Sequence, residues 1–298
     1  GFFIAMISAR AVAVVLYFFA IPFWQKFQVS KIQISTFKTI LIFSVPLIPN
    51  MIGWWINNLS DRYIIKYLMG TDANGIYAVA AKFPSIISIF STILISSWMI
   101  TALQNDERKN TDMFRAMSLI FSSIMVIISL LVIIVLPYLF SIYIQSDAYA
   151  SAEQFIPILL LAGVLSAISS LFGVTYLGEK DTKMAAITTI TSGVINVALN
   201  FILIPMMGIM GAVWATFASF IVIVAMRYVY VRKRTSLDIP VSTLLILTLL
   251  PTAYILNMKQ LIDGNIVFFL VILSFVGAII SVVHNSIKYK LVNKFLSK

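Results

Sequence analysis

Residues 61–82, DRYIIKYLMGTDANGIYAVAAK, contain five charged residues in a chain that is otherwise overwhelmingly apolar. The stretch opens on the charged residues Asp61 and Arg62 and closes on Lys82, which already lies inside the next apolar run. A polar break between apolar runs of this length predicts that one membrane-spanning helix ends here and another begins. The composition of the rest of the chain tests this interpretation.

The chain as a whole is too apolar for a water-soluble domain. Of its 298 residues, 61% are hydrophobic and 11% are charged, whereas soluble domains carry about 25% charged residues. Helical spans of about 20 residues cross the hydrocarbon core of a bilayer. We therefore predict an all-α integral membrane protein with about nine transmembrane helices. The apolar segments are 2–24, 39–59, 76–103, 116–144, 155–177, 184–204, 209–226, 241–257 and 265–284.

Lysine and arginine are distributed very unequally between the two sides of these nine spans. Sixteen of them, Arg227 included, fall on one side, and only Arg62, Lys66 and Lys259 fall on the other. Cytoplasmic loops carry the excess of positive charge, so we predict a multi-pass protein of the bacterial cytoplasmic membrane with a cytoplasmic C-terminus. The net charge of +10 is then explained by topology, and we expect no nucleic-acid partner.

The sequence lacks the common motifs for catalysis and for metal binding. The chain has no cysteine and a single histidine, and it contains no Gly-rich phosphate loop and no HExxH motif. No acidic residue lies deep in a predicted span. We therefore expect a protein that is not an enzyme, holds no metal or cofactor, and draws on an ion gradient or the membrane potential.

The candidate site residues are cations within or beside the spans. Arg10 and Lys82 lie inside apolar segments, where a charge is costly unless it faces a bundle interior or a wet cavity. The alternative for both is a side chain that reaches outward to the membrane surface. Arg62 is predicted at the outer mouth of the cavity. The same mouth contains Asp61, Asn57 and Asn58. Buried positive charge favours an anionic cargo, and phosphate groups pair well with Arg and Lys.

Prolines and aromatic residues add two open interpretations. Pro46, Pro49 and Pro84 fall within predicted spans, where they act either as hinges or as ordinary membrane-helix prolines. Five aromatic residues of the segment 54–77 are predicted at the outer surface of the membrane. They act either as an interfacial belt or as stacking surfaces for sugars. These residues are Trp54, Trp55, Tyr63, Tyr67 and Tyr77.

The beginning of the chain predicts a fragment. Nine spans with a cytoplasmic C-terminus place residue 1 outside, yet the sequence starts directly in an apolar run without a charged flank or a cleavable signal pattern. We therefore expect that an upstream part with an odd number of spans is missing.

Residues 38–101, KTILIFSVPLIPNMIGWWINNLSDRYIIKYLMGTDANGIYAVAAKFPSIISIFSTILISSWMIT, resemble a known family of transporters. The pattern is a proline-containing span, an Asn-x-x-Asp-Arg-Tyr run, a Gly-x-x-x-x-Gly-x-Tyr turn, an Ala-x-Lys run and a tryptophan near the end of the span. The residues that carry it are Asn58, Asp61, Arg62, Tyr63, Gly70, Gly75, Tyr77, Ala80, Lys82 and Trp98. The segment resembles polysaccharide-repeat (Wzx-type) flippases of the multidrug/oligosaccharidyl-lipid/polysaccharide exporter (MOP) superfamily, which also includes MATE exporters and lipid II flippases.

This resemblance implies a MATE-like fold of two helix bundles around a central cavity. Residues 1–24 would be the last span of the first bundle, 36–231 the second six-helix bundle, and 240–285 two additional C-terminal spans, all within one membrane domain, 1–298.

The resemblance also implies a function. The cargo would be an undecaprenyl-pyrophosphate-linked oligosaccharide for O-antigen, lipopolysaccharide or capsule synthesis, flipped by alternating access. Arg10, Lys82 and Arg62 would bind its pyrophosphate, and membrane lipids and the polysaccharide polymerase machinery would be the partners. The alternatives are a MATE-type multidrug exporter, which would use deep acids, or a lipid II flippase. A membrane polymerase or glycosyltransferase is disfavoured because the predicted outer loops are short.

Overall fold

The computed structural model describes residues 1–20, 33–104, 111–143, 147–235 and 264–288, which are almost entirely helical. The helices in chain order are α1 (Phe2–Ala20), α2 (Ile34–Ser44), α3 (Leu47–Met69), α4 (Thr71–Ala80), α5 (Pro84–Gln104), α6 (Thr111–Tyr143), α7 (Asp147–Ala150), α8 (Ile156–Gly178), α9 (Thr182–Met207), α10 (Ile209–Thr235) and α11 (Gly264–Lys288). A short 3₁₀ turn, Glu153–Phe155, precedes α8. Helices are the expected solution, because a spanning segment must satisfy its backbone hydrogen bonds internally.

The chain forms two compact units. The first, Gly1–Val45, contains α1 and α2, and the second, Pro46–Lys298, contains the remaining helices. The side chains described in α1 are exposed within the chain, with one half-buried exception. The candidate site described below belongs to the second unit, apart from Arg10.

The predicted membrane helices are confirmed as a class, although their number is not. Six helical stretches of the described residues are long and apolar enough to cross a membrane, and the bent pair α4–α5 makes a seventh if it is counted as one span. In α11, a shorter apolar stretch covers Gly264–Ile280. The predicted segment 241–257 lies outside the described residues. Within the described residues, each of the other predicted segments falls on one helix or on a pair of consecutive helices.

The second unit is organised around α8 and α9. Helix α9 packs against α3 and α10, while α8 packs against α10, α5 and α6. The contacts of α8 are apolar over most of its length, and large side chains such as Leu160, Ile168 and Phe172 are buried there. The contacts of α9 are different, because its buried positions are mainly threonine, serine and asparagine.

Glycine and proline lie at several helix ends in this part of the chain. Gly70 separates α3 from α4 with φ +90°, a conformation that favours glycine. Pro46 precedes α3, Pro49 lies in its first turn, and Pro84 begins α5 directly after the break at which α4 and α5 differ in direction by 44°. A proline at a helix start gives up no backbone hydrogen bond. The role of these prolines as hinges stays a prediction.

Candidate functional site

The predicted cations lie in different places in the structure. Arg10 lies in α1 of the first unit and is exposed there. Lys82 is exposed in the break between α4 and α5, two helices whose axes differ by 44°. Arg62 lies in α3 and is half-buried, and its Nε atom is buried without a hydrogen-bond partner among the described residues. Their role in binding cargo stays a prediction.

Asp61 accepts hydrogen bonds from three neighbouring helices. Its side chain is only 2% exposed. Tyr77 Oη donates to Asp61 Oδ2 over 2.7 Å, Thr216 Oγ1 donates to the same oxygen over 2.6 Å, and Asn200 Nδ2 donates to Oδ1 over 2.6 Å. The three donors come from α4, α10 and α9, so the carboxylate connects four helices. All of these partners are neutral.

The helix that carries Asp61 is longer than the apolar run predicted from the sequence. Helix α3 continues to Met69, whereas the predicted span ended at residue 59, so α3 contains a buried acid that the sequence placed beyond the span. Neutral donors from neighbouring helices replace the water that an isolated carboxylate would need. The predicted place of Asp61 at the mouth of a cavity stays a prediction.

Asn57 is also part of the helix packing. It is 1% exposed, its Nδ2 donates to the carbonyl oxygens of Gly53 over 3.0 Å and Thr189 over 3.3 Å, and its Oδ1 accepts from Ser192 Oγ over 3.0 Å. These bonds join α3 to α9 and hold the Asn57 side chain between the two helices. Its predicted place at the mouth of a cavity stays a prediction. Asn58 is exposed and donates to the carbonyl oxygen of Trp54 over 2.7 Å.

A stripe of polar residues on α9 links these contacts into one buried layer. We call it the polar layer, and on α9 it comprises Thr188, Thr189, Ser192, Asn196 and Asn200. Residues three and four apart share one face of a helix, so this spacing directs the stripe at α3 and α10. Ser60 Oγ of α3 donates to Asn196 Oδ1 over 2.7 Å. The polar spacing in residues 188–200 is visible in the sequence and could have indicated this layer.

Two polar atoms beside Asp61 have no hydrogen-bond partner within the described part of the chain. They are Nδ2 of Asn196 and Oδ1 of Asn200, both buried. The Asn200 amide donates from Nδ2 to Asp61 and keeps its own oxygen unused, while the Thr216 hydroxyl donates to the same carboxylate. Oxygen atoms of these types bind protons or hard cations. No cluster of three or more acidic, histidine or cysteine side chains is found among the described residues, so that part of the chain offers no multi-carboxylate metal site.

The second buried charge of the polar layer is Arg227. It is 2% exposed, and its guanidinium donates from Nη1 to the Ser169 carbonyl over 2.7 Å, from Nη2 to Thr189 Oγ1 over 2.8 Å and from Nε to Thr188 Oγ1 over 3.2 Å. These acceptors are neutral. Arg227 thereby connects α10 to α8 and α9.

Two aromatic rings and one glycine complete the surroundings of Arg227. The guanidinium carbon lies 5.6 Å from the ring centroid of Trp54 and 5.8 Å from that of Tyr176, within the range of cation–π attraction. A Cβ atom at Gly173 would lie 2.8 Å from Nη1, so the absence of a side chain at this position makes room for the guanidinium.

The burial of Arg227 was not expected from the sequence, in which the predicted span ended at residue 226. Helix α10 continues to Thr235, and Arg227 is buried against its neighbours. The side of the membrane on which it lies stays a prediction. The sequence showed the charge but gave no sign of the acceptors on α8 and α9 that allow it to be buried.

The predicted aromatic residues divide into two groups. Trp55, Tyr63 and Tyr67 are exposed, which suits either an interfacial belt or a stacking surface. Tyr77 is buried on Asp61, and Trp54 is half-buried against Arg227. Tyr77 and Trp54 therefore contact the charged residues of the polar layer.

Comparisons with known proteins agree with the resemblance to transporters. Residues 2–99 match the family model described as polysaccharide biosynthesis protein. No curated protein matches the chain. The chain is similar to the lipid II flippase MurJ in its inward closed conformation, with 19% identity and a TM-score of 0.58, over 87% of this chain and 56% of that one.

Two further solved structures share the fold. A MOP superfamily transporter from Pyrococcus furiosus is 18% identical with a TM-score of 0.56, over 86% of this chain and 66% of that one. An outward-facing multidrug resistance MATE family transporter of the MOP superfamily is 18% identical with a TM-score of 0.51, over 87% of this chain and 67% of that one.

The chain spans only part of the length of these relatives, 56% in the case of MurJ. At these identities the likeness is one of fold, and it confirms the predicted all-α, MATE-like architecture. The match over residues 2–99 overlaps most of residues 38–101, on which the resemblance to polysaccharide-repeat flippases was based. The chain thus has the fold of the MOP superfamily transporters, and its first third matches the polysaccharide biosynthesis protein family.

Proposed function

We propose that this chain forms part of a flippase that moves an undecaprenyl-pyrophosphate-linked oligosaccharide across the bacterial cytoplasmic membrane by alternating access. The product would be used for a surface polysaccharide such as O-antigen or capsule. The family match over residues 2–99 supports the polysaccharide, and the likeness in fold to a lipid II flippase is compatible with a lipid-linked cargo.

The observation that carries the proposal is the position of Lys82. It is an exposed cation at the break between α4 and α5, which together pass as one bent span. Non-helical backbone at membrane depth is tolerated where it is buried in protein or lines a water-filled cavity. A cation at that depth favours the same environment. Broken helices of this kind mark binding sites in transporters, and a positive charge there suits a pyrophosphate.

The buried carboxylate of Asp61 supplies a site for energy coupling. An ionisable residue within a membrane helix is by default a functional candidate, and Asp61 has neutral donors together with the spare oxygen of Asn200. We infer that a proton or a monovalent cation binds here and biases the helices that the carboxylate connects. The gradient of that ion would then drive the alternation between conformations.

The test uses the full-length gene in a host that builds a lipid-linked surface glycan but has no flippase of its own. We expect wild type to restore the surface glycan. We expect Lys82→Ala to lower it about 10-fold or more, because charged hydrogen bonds contribute about 1.5–3 kcal/mol each. Arg10→Ala and Arg62→Ala are expected to lower it as well, while Lys66→Ala, an exposed cation at the end of α3, serves as the matched control.

Protein level in the membrane is measured for each variant. Rescue by wild type and by every variant alike would retain the flippase and reject Lys82 as the binding residue. Failure of the wild type in a host with a matched glycan would reject the flippase.

Asp61 also favours a second candidate, a MATE-type exporter of cationic drugs. Such an exporter is expected to use an acid within its spans, and Asp61 is one. Drug accumulation in a pump-deficient host separates the two candidates. Export of cationic drugs without rescue of the surface glycan would favour the exporter.

A further inference from the structure

A hydroxyl-lined cavity of about 250 Å³ lies between α5 and α8 in the second unit. Six of its nine lining residues carry a hydroxyl group, and the other three are Ile95, Gly163 and Ala167. The hydroxyl-bearing residues are Ser88, Ser91, Thr92, Ser96, Ser166 and Ser170. The cavity thus offers many hydrogen-bonding groups and no charge.

Three of these hydroxyls are already used as donors along their own helices. Ser88 donates to the carbonyl oxygen of Pro84 over 3.4 Å, Thr92 to that of Ser88 over 2.8 Å, and Ser170 to that of Ser166 over 2.9 Å. A hydroxyl that donates in this way keeps lone pairs that can accept. Toward the cavity these three groups are therefore hydrogen-bond acceptors.

The hydroxyl of Ser91 is available to the contents of the cavity. The Ser91 side chain is 5% exposed, it lines the cavity, and its hydroxyl has no hydrogen bond to any described residue. Such a hydroxyl bonds to water or to a polar molecule in the cavity. Ser91 can therefore donate a hydrogen bond to a polar occupant that displaces this water.

Charge and size restrict the class of that occupant. A pyrophosphate or a cationic drug would find no countercharge among the lining residues, and an acyl chain would leave Ser91 unsatisfied. A cavity of about 250 Å³ has room for a small polar group such as one six-membered sugar ring, whose hydroxyls both donate and accept hydrogen bonds.

We propose that this cavity binds one sugar ring of the lipid-linked cargo. The inference rests on the proposed flippase function and deepens it, because it separates the recognition of sugar at α5 and α8 from the recognition of pyrophosphate at Lys82. Acceptors on Ser88, Thr92 and Ser170 would receive sugar hydroxyls, and Ser91 would donate to a sugar oxygen.

The first test is protection of a single thiol. These 298 residues contain no cysteine, so Ser91→Cys introduces one thiol into them, and any cysteine elsewhere in the full-length transporter is replaced by serine. The rate of its modification by N-ethylmaleimide is measured with purified protein in three states: alone, with undecaprenyl pyrophosphate, and with undecaprenyl pyrophosphate bearing the host's oligosaccharide. We expect the sugar-bearing lipid to slow the modification at least about fivefold, the value of one neutral hydrogen bond, and the bare lipid to leave it unchanged.

A second thiol and a free sugar identify the source of the protection. Ser151→Cys places a thiol at an exposed position outside the cavity, and its modification should not respond to sugar. Protection by the free oligosaccharide alone would retain the sugar site and assign it to soluble sugars. Equal protection by bare and sugar-bearing lipids, or no protection by either, would overturn the proposal.

The second test measures transport. Ser91→Ala removes one hydroxyl and is expected to lower the surface glycan about fivefold, and Ser91→Val should lower it further because it also occupies space. The control is Ser122→Ala, since Ser122 is buried in α6 and its hydroxyl bonds to the carbonyl oxygen of Ser118. Rescue by wild type together with full activity of Ser91→Ala and Ser91→Val would reject the sugar site and leave the flippase intact. Absence of rescue by wild type would reject the flippase itself.

Discussion

Replacement of Asp61 by asparagine is expected to reduce transport by more than about 10-fold while the helix bundle stays folded. The carboxylate accepts three hydrogen bonds from neutral donors, and a hydrogen bond to a charged group contributes about 1.5–3 kcal/mol. Asparagine has the same shape but cannot ionise, so a site for a coupling proton or cation loses its charge. Transport is measured as surface glycan in the flippase-deficient host.

The fold should tolerate this change because its partners can reverse their roles. The hydroxyl groups of Tyr77 and Thr216 can accept hydrogen bonds as well as donate them, and the Asn200 amide already has an unused oxygen. We therefore expect the thermal unfolding temperature of purified Asp61→Asn to stay close to that of wild type. Asp61→Leu should instead unfold at a lower temperature, because it leaves the donors without acceptors.

The control for Asp61 is Asp72→Asn, which removes an exposed acid from the first turn of α4. It should transport as wild type does. Wild-type transport by Asp61→Asn would show that the buried carboxylate is a structural polar group, and it would remove the site that we infer for ion coupling. It would also weaken the case for a MATE-type exporter, which relies on the same acid.

The fold could be predicted from the sequence where hydropathy alone determines the outcome. Apolar runs indicated the spans, and the charged stretch that begins at Asp61 indicated that one helix ends and another begins between residues 60 and 75, as α3 and α4 do. The structure differs where charged residues were taken as the limits of spans, at Asp61 and Arg227. The sequence shows that a residue is charged, but whether it is buried depends on partners far along the chain, such as Asn200 for Asp61 and Ser169 for Arg227.

The candidate site was predictable to a smaller extent, for the same reason. Lys82 could be identified because a lysine in an apolar run is conspicuous. The cavity around Ser91 was not predicted, because serine in a membrane helix commonly bonds to its own backbone. Ser91 is distinguished by a combination of features, because it is buried, lines the cavity and has no hydrogen bond to a described residue. Only the packing of α5 against α8 reveals this combination.

Replacement of Arg227 is expected to separate the effect of its volume from the effect of its charge. Arg227→Ala should destabilise the bundle by about 2–5 kcal/mol, as other large-to-small changes in cores do. Arg227→Met fills the space with an uncharged chain, and we expect it to change the free energy of unfolding by less than about 2 kcal/mol, since burial of a charge carries a large desolvation cost. Thermal unfolding of the purified full-length protein gives the comparison.

The tolerance of methionine follows from the acceptors that Arg227 would leave behind. Thr188 and Thr189 each also bond to the carbonyl oxygen of Ala185, over 3.0 and 2.9 Å, so few polar groups would become unsatisfied. Arg227→Lys should be less stable than Arg227→Met, because a compact ammonium keeps the desolvation cost but cannot reach the Ser169 carbonyl and both threonines at once.

Gly173→Ala tests the same site without changing Arg227. The added Cβ would lie 2.8 Å from Nη1, so the guanidinium would have to leave the Ser169 carbonyl. A Cβ at Gly178 in the same helix meets nothing within 4 Å, and Gly178→Ala is therefore the matched control. If Gly173→Ala destabilises wild type but has no effect in the Arg227→Met background, the two positions act through one contact. Equal effects in both backgrounds would show that Gly173 is needed for helix packing and not for the guanidinium.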